Sequence, residues 1–188
     1  MKNNEKMIIT FVGMPGAGKS QAVMYLEQKG IPFLRFGDIT DEGMEERGLQ
    51  PNQENERLVR ESLRKELGMA AYAIKTEPKL AKLLDTYTCV AIDGLYSWEE
   101  YTFLIKKFPN LKLIHVYAER QVRYARLATR RIRPLGLEEA RNRDVAEIEK
   151  LNKGGPIAIA DYIVVNDTDK NLFYVRIDEL LKRLGISI

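Results

Sequence analysis

The chain has 188 residues, enough for one domain with a substantial core. Apolar residues make up 45% and charged residues 30%, and the net charge is only +3, so neither a disordered chain nor a strongly basic nucleic-acid binder is indicated. A single cysteine, Cys89, excludes an internal disulfide framework and a zinc site built from several cysteines.

Residues 1–6 are short and polar, and the apolar run after them is too short for a signal-peptide core. No stretch approaches the roughly 20 apolar residues of a membrane helix. Cytoplasmic residence is expected, with no membrane partner. Met7–Val12 reads as a first buried strand. It runs straight into Gly13-Met14-Pro15-Gly16-Ala17-Gly18-Lys19-Ser20, which matches G-x-x-x-x-G-K-[ST]. In this pattern glycines turn the backbone so that successive N–H groups face phosphate oxygens. The helix that starts near Lys19 adds the positive end of its dipole, with Gln21 in its first turn. Lys19 is expected on the β- and γ-phosphates and the Ser20 hydroxyl on Mg²⁺. The competing reading is a chance match in a glycine-rich turn, but the strand before and the helix pattern after (Gln21 to Lys29) are the required context.

A second strand, Ile31–Phe36, meets Gly37-Asp38. Arg35 and Asp38 at its tip are either turn chemistry or groups that orient an acceptor, with Asp38 deprotonating its hydroxyl. Thr40 to Lys82 then form an insertion longer than a simple crossover. Within it Val59, Leu63, Leu67, Ala70 and Ile74 keep helical spacing. Arg57, Arg60 and Arg64 line the other face, either as an ordinary charged surface or as a grip on an anionic substrate. The third strand, Thr86–Ile92, ends at Asp93-Gly94. A carboxylate at a strand end beside the phosphate loop can enter the Mg²⁺ shell, although strands also end in Asp as a turn residue. Gly94 allows close approach of the ligand. Trp98 and Tyr101 could touch an acceptor base or simply pack.

The fourth strand, Leu111–Tyr117, contains His115, best read as a packing residue. After it come Arg120, Arg123, Arg126, Arg130, Arg131 and Arg133. Arg123 and Arg126 are three apart and Arg126 and Arg130 four apart, so one helix face carries them. Arginine forks grip phosphate bidentately, and Pro134-Leu135-Gly136 breaks the helix as a lid loop would. A solvated basic face or a nucleic-acid patch is the alternative, and Tyr124 is the only interleaved aromatic. Tyr162–Val165 is the fifth strand, and Phe173, Ile177, Leu180 and Leu184 mark a final helix. The alternation predicts an α/β chain with a five-stranded, mainly parallel sheet, and the phosphate-loop motif makes it one three-layer α/β/α P-loop NTPase domain over 1–188. An acceptor-binding insertion is expected at about 40–82 and a lid at about 119–150.

With these motifs the chain resembles the nucleoside-monophosphate-kinase branch of P-loop kinases, most closely dephospho-CoA kinase and its uncharacterised archaeal and bacterial relatives. The points of likeness are the P-loop, the Gly30-Ile31-Pro32 strand ending at Asp38, Asp93-Gly94, Gln121 to Arg126, Leu137 to Arg141, and Ala160 to Asp167. The resemblance implies a catalytic role for Asp38 and places Asn166 in the adenine-side loop. Similarity to adenylate kinase implies that Arg126 lies against the adenine and that Arg130 reaches phosphates as a catalytic group. The chain departs from dephospho-CoA kinases at Gly37-Asp38, where an acidic pair is usual, and in the insertion Thr40 to Lys82. The implied activity is transfer of the γ-phosphate of ATP to a small-molecule acceptor, with Mg²⁺ as cofactor. Dephospho-CoA is the first expected acceptor; a (deoxy)nucleoside monophosphate, or an NTP-binding switch with little turnover, is the alternative. No nucleic-acid partner is expected, and the chain would act as a monomer or small homo-oligomer.

Overall fold

The computed structural model describes residues 6–131 and 134–186, so Arg133 of the arginine cluster lies outside the described residues. Five strands form one parallel sheet: β1 (Met7–Val12), β2 (Phe33–Arg35), β3 (Cys89–Asp93), β4 (Leu111–Tyr117) and β5 (Tyr162–Val165). Their order is β2-β3-β1-β4-β5. β1 pairs with β3 through Phe11 and Asp93 and with β4 through Val12 and His115, so three carboxyl ends meet at one rim. Chain order reverses across β1, which puts a crevice for ligands at that rim.

Side-chain alternation sends each strand's residues to two cores. Ile9, Phe11, Ala91 and Ile114 pack against α1 (Lys19–Gln28) and α9 (Lys170–Arg183) through Ala22, Leu26, Phe173 and Ile177. Ile8, Val12, Val90 and Ile92 face the second core. That core is closed by α2 (Gly37–Glu45), α3 (Gln53–Leu67), α4 (Ala71–Thr86), α5 (Trp98–Lys107) and the short α8 (Gly154–Ala158). α6 (Arg120–Thr129) and α7 (Leu137–Glu149) follow β4 in the chain and pack on each other. Cys89 is buried at the start of β3, and burial pushes its thiol up to about 11. No described helix is long and apolar enough to cross a membrane.

The expected elements hold, with boundaries moved at three places: in β2, which is shortened to Phe33–Arg35, in β3, which is shifted to Cys89–Asp93, and in the helix pattern between them. β2 stops at Arg35 because Phe36 already caps α2, so Gly37 and Asp38 open a helix instead of a turn. β3 begins at Cys89 because α4 runs on to Thr86. The single helix pattern from Val59 to Ile74 is divided at Gly68, whose φ of 75° ends α3 and turns the chain into α4.

Candidate active site

β1 delivers its backbone into Gly13 and the loop that follows. At Gly18 the backbone has φ 103° and caps α1 without any side chain. A Cβ there would lie 2.2 Å from Asn166 Nδ2, so both conformation and space demand glycine. Asn166, just past β5, donates from Nδ2 to the Ala17 carbonyl at 2.8 Å. Its own carbonyl accepts from Arg126 Nη1 at 2.8 Å. The Lys19 ammonium turns back onto the Gly13 and Met14 carbonyls at 2.8 and 3.2 Å. Burial, then the neighbouring ammonium of Lys153, pulls the Lys19 pKa down to about 7, against the opposite pull of Glu147 and Asp93. A phosphate beside Lys19 would reverse that depression.

Ser20 Oγ donates to Asp93 Oδ2 at 2.7 Å. A hydroxyl and a carboxylate in contact, at the rim of the phosphate loop, fit a hard divalent cation that takes its remaining oxygens from phosphates and water. Among the described residues no group of three or more His, Cys, Asp or Glu side chains could hold a metal without such help. Gly94 follows with φ 101°, and the Tyr96 ring closes over it: a Cβ there would meet Tyr96 Oη at 2.8 Å. This loop is pinned by Glu100, whose Oε2 accepts from the backbone N–H of Tyr96 and Ser97 at 2.6 and 3.0 Å.

A cavity of about 250 Å³ lies over the loop, lined among others by Lys19, Ser20, Asp93, Tyr96 and Arg130. It adjoins a second cavity of about 1060 Å³, walled by Arg57, Arg60 and Arg64 of α3 and by Thr40 and Asp41 of α2. Ser20, Arg35, Tyr96, Arg130 and Arg143 belong to both walls. Arg60 is held by Glu56 at 3.2 Å, while Arg64 Nε is buried with no hydrogen-bond partner. An unpartnered buried donor beside a cavity is satisfied by an acceptor that enters it.

The structure brings Pro15, Gly16, Lys19 and Ser20 of the P-loop, with Asp93, Arg35, Arg60, Arg64 and Arg130, around these joined cavities, whereas Gly94 and Asp38 line neither. Asp38 stands half-exposed in the first turn of α2, with its Oδ1 on Arg35 Nε at 2.7 Å, and Arg35 also binds Asp41 at 2.6 Å. Arg126 and Asn166 lie beside the loop on its α1 side. Gln21 is in the first turn of α1, next to Gly18. Met14 lines a separate cavity of about 590 Å³ behind the loop, along with half-buried His115. Arg123 does not share the Arg126 role. Its buried guanidinium makes a bidentate pair with Asp144 at 2.6 and 2.9 Å and donates to the Pro15 carbonyl at 2.9 Å, so it ties α7 to the phosphate loop. Arg130 has extended backbone at the end of α6, off the helical face. The Trp98 and Tyr101 rings meet at a tilt, with centroids 5.5 Å apart, and Trp98 abuts Gly155. That is packing of α5 on α8.

Four wall residues carry no sequence motif: Tyr96, Arg143, Glu147 and Lys153. The i, i+4 spacing of Arg143 and Glu147 was the one available signal. Nothing local marks Lys153, which reads as a loop residue before Gly154-Gly155-Pro156.

The profile of the family described as "AAA domain" matches residues 9–150. A protein of Thermococcus sibiricus named "UPF0200 protein" is 38% identical over 185 residues, covering 96% of this chain and 97% of that one. A Pyrococcus abyssi protein of the same designation is 34% identical over 182 residues, covering 95% and 97%. Among solved structures, TT1252 from Thermus thermophilus superposes with a TM-score of 0.71 at 17% identity, over 96% of this chain and 98% of that one. Shikimate kinase from Bacteroides thetaiotaomicron gives 0.61 at 16% identity, over 95% and 98%. Dephospho-CoA kinase from Campylobacter jejuni gives 0.57 at 13% identity, over 96% and 98%. At such identities these likenesses establish the fold, that of P-loop kinases.

Proposed function

Because the chain belongs both to the family described as "AAA domain" and to the UPF0200 proteins, and folds as P-loop kinases do, we propose that it is an ATP-dependent kinase of a phosphate-bearing small molecule. The observation that carries this reading is the meeting of two cavities at Ser20, Arg35, Tyr96, Arg130 and Arg143. A nucleotide switch needs only the first cavity. A transferase needs donor and acceptor pockets that meet at the γ-phosphate.

In this proposal Lys19 and the N–H groups of the loop hold the β- and γ-phosphates, and Arg126 lies along the adenine beside Asn166. Ser20 and Asp93 would hold Mg²⁺, which would supply positive charge against that of the transferring phosphoryl group. The acceptor oxygen attacks the γ-phosphorus, the bond to the β–γ bridging oxygen breaks, and ADP leaves. Asp38, kept in place by Arg35, orients the acceptor hydroxyl and takes its proton. Arg130 and Arg143 face the charge of the phosphoryl group in transit. Such residues act by position and charge, the main resources of phosphoryl transfer.

Three arginines of α3 on the acceptor wall, one with a buried unpartnered N–H, join Arg35, Arg130 and Arg143 there and call for an anionic acceptor. Dephospho-CoA is the first proposal, in keeping with the dephospho-CoA kinase among the structural neighbours, and a (deoxy)nucleoside monophosphate the second. ADP formation measured with each of these, and with shikimate as an acceptor that bears no phosphate, tests the reading. Stimulation by a phosphate-bearing acceptor is the expected result. No stimulation by any acceptor, with tight ATP binding retained, would leave a nucleotide-binding switch in its place.

A further inference from the structure

Lys153 is 1% exposed and Glu147 3%, and both line the cavity that holds Lys19. A local turn brings Lys153 there. Asn152 takes a left-handed conformation with φ 53°, and the Lys153 N–H returns to the Glu147 carbonyl at 3.2 Å. The side chain is thereby driven inward, where its ammonium bonds Glu147 Oε2 and lies 5.1 Å from the centre of the Tyr96 ring. The other oxygen of Glu147 accepts from Arg143 Nε at 3.3 Å. That bond engages Nε and does not consume the Nη groups of a side chain that is 55% exposed. Arg143 and Glu147 border both cavities, whereas Lys153 borders only the one over the P-loop.

An ammonium in such a place is costly, and a well-packed apolar pair of similar volume is often as stable or more so. Next to Lys19 the two halves act in opposite senses, the Lys153 ammonium lowering the pKa of Lys19 and the Glu147 carboxylate raising it, so the pair adds no net charge to the cavity. We propose that the Lys153–Glu147 pair is a positioning device for phosphoryl transfer, in which Lys153 acts through Glu147 to hold the Arg143 guanidinium at the junction of the two cavities. The proposal rests on the kinase reading above. It assigns the pair no contact with the substrate. Its work is to stop the arginine rotating into solvent, which a long exposed side chain otherwise does at little cost.

The test uses the full chain and needs no knowledge of the acceptor. Affinity is measured for MgADP alone and for MgADP with aluminium fluoride, a planar stand-in for the phosphoryl group in transit. The double variant Lys153→Met/Glu147→Gln removes both charges together and so leaves no unpaired buried ion. It is expected to bind MgADP within about threefold of the parent while losing about tenfold or more of the tightening that fluoride brings. Arg143→Met should lose the same tightening, and the triple variant no more than either, as residues acting in series do. If the double variant unfolds on heating too early to assay, the apolar pair Lys153→Met/Glu147→Met, which likewise leaves no unpaired buried ion, is expected to show the same selective loss. A double variant that keeps the fluoride effect, or loses MgADP affinity equally, overturns the positioning role. A parent with no fluoride effect overturns the kinase reading and this proposal together.

Discussion

At the scale of single residues the site is governed by a few charges held where water is scarce. Lys19 is the clearest case, because burial and Lys153 bring its pKa to about 7. With that pKa it is largely neutral at about pH 8 until a phosphate beside it restores the proton. Nucleotide binding should therefore take up protons, more at about pH 8 than at about pH 6, where Lys19 is already charged. Calorimetry in two buffers of different ionisation enthalpy reads this directly, and proton release or no exchange would contradict it. Asn166 offers a second prediction. Its amide holds the Ala17 carbonyl while its backbone holds Arg126, so it links the loop to the lid helix. Asn166→Ala should cost about 1–2 kcal/mol of stability for a buried bond left half-made. It should also weaken MgADP binding about tenfold, since the loop loses its brace. Unchanged nucleotide affinity would show that the loop is braced elsewhere.

At the scale of elements, the segment joining β3 to α5 decides how the acceptor side meets the phosphate loop. Glu100 pins it, and burial raises its carboxyl to about 7 although two backbone N–H groups pull the other way. Because the folded state holds this proton more tightly than the unfolded chain, its contribution to stability is full below about pH 4.5 and lost as pH rises through about 7. Glu100→Gln removes that dependence. The melting temperature of the variant relative to the parent should therefore climb between about pH 5 and pH 8, and a flat difference would refute the argument. Elements also show what the sequence could reveal. The P-loop was legible because its constraints are local: a strand, six turning residues, a helix. The arginine face of α3 was legible because helical spacing places Arg57, Arg60 and Arg64 together. The split between α3 and α4 was not, since Ala70 and Ile74 continue the apolar spacing across Gly68. The role of Arg123 was not legible for a similar reason. Its spacing to Arg126 fits a shared face, and only the approach of Asp144, twenty-one residues on, turns it into a clamp. Lys153 lay furthest from view, because its burial comes from the Asn152 turn and from Tyr96, which no local pattern joins to it.

At the scale of the whole molecule, the sheet order gathers donor and acceptor machinery at one rim, while the insertion between β2 and β3 supplies the arginines of the acceptor wall. The two halves can then be separated by experiment. Arg60→Glu/Arg64→Glu should raise the acceptor KM about tenfold or more through reversed charge, with nucleotide affinity moved by less than about threefold. Equal losses for both ligands would mean that α3 serves the nucleotide as well. The buried thiol of Cys89 has a practical bearing on such work. It is the only cysteine, it lies at the far end of β3 from Asp93, and its raised pKa leaves almost no thiolate near neutral pH. A cysteine introduced on exposed Glu149 or Arg57 would thus take a fluorescent or spin label alone, on the native background. Labelled in pairs, α7 and α3 would report whether the two walls of the site draw together when both ligands are present.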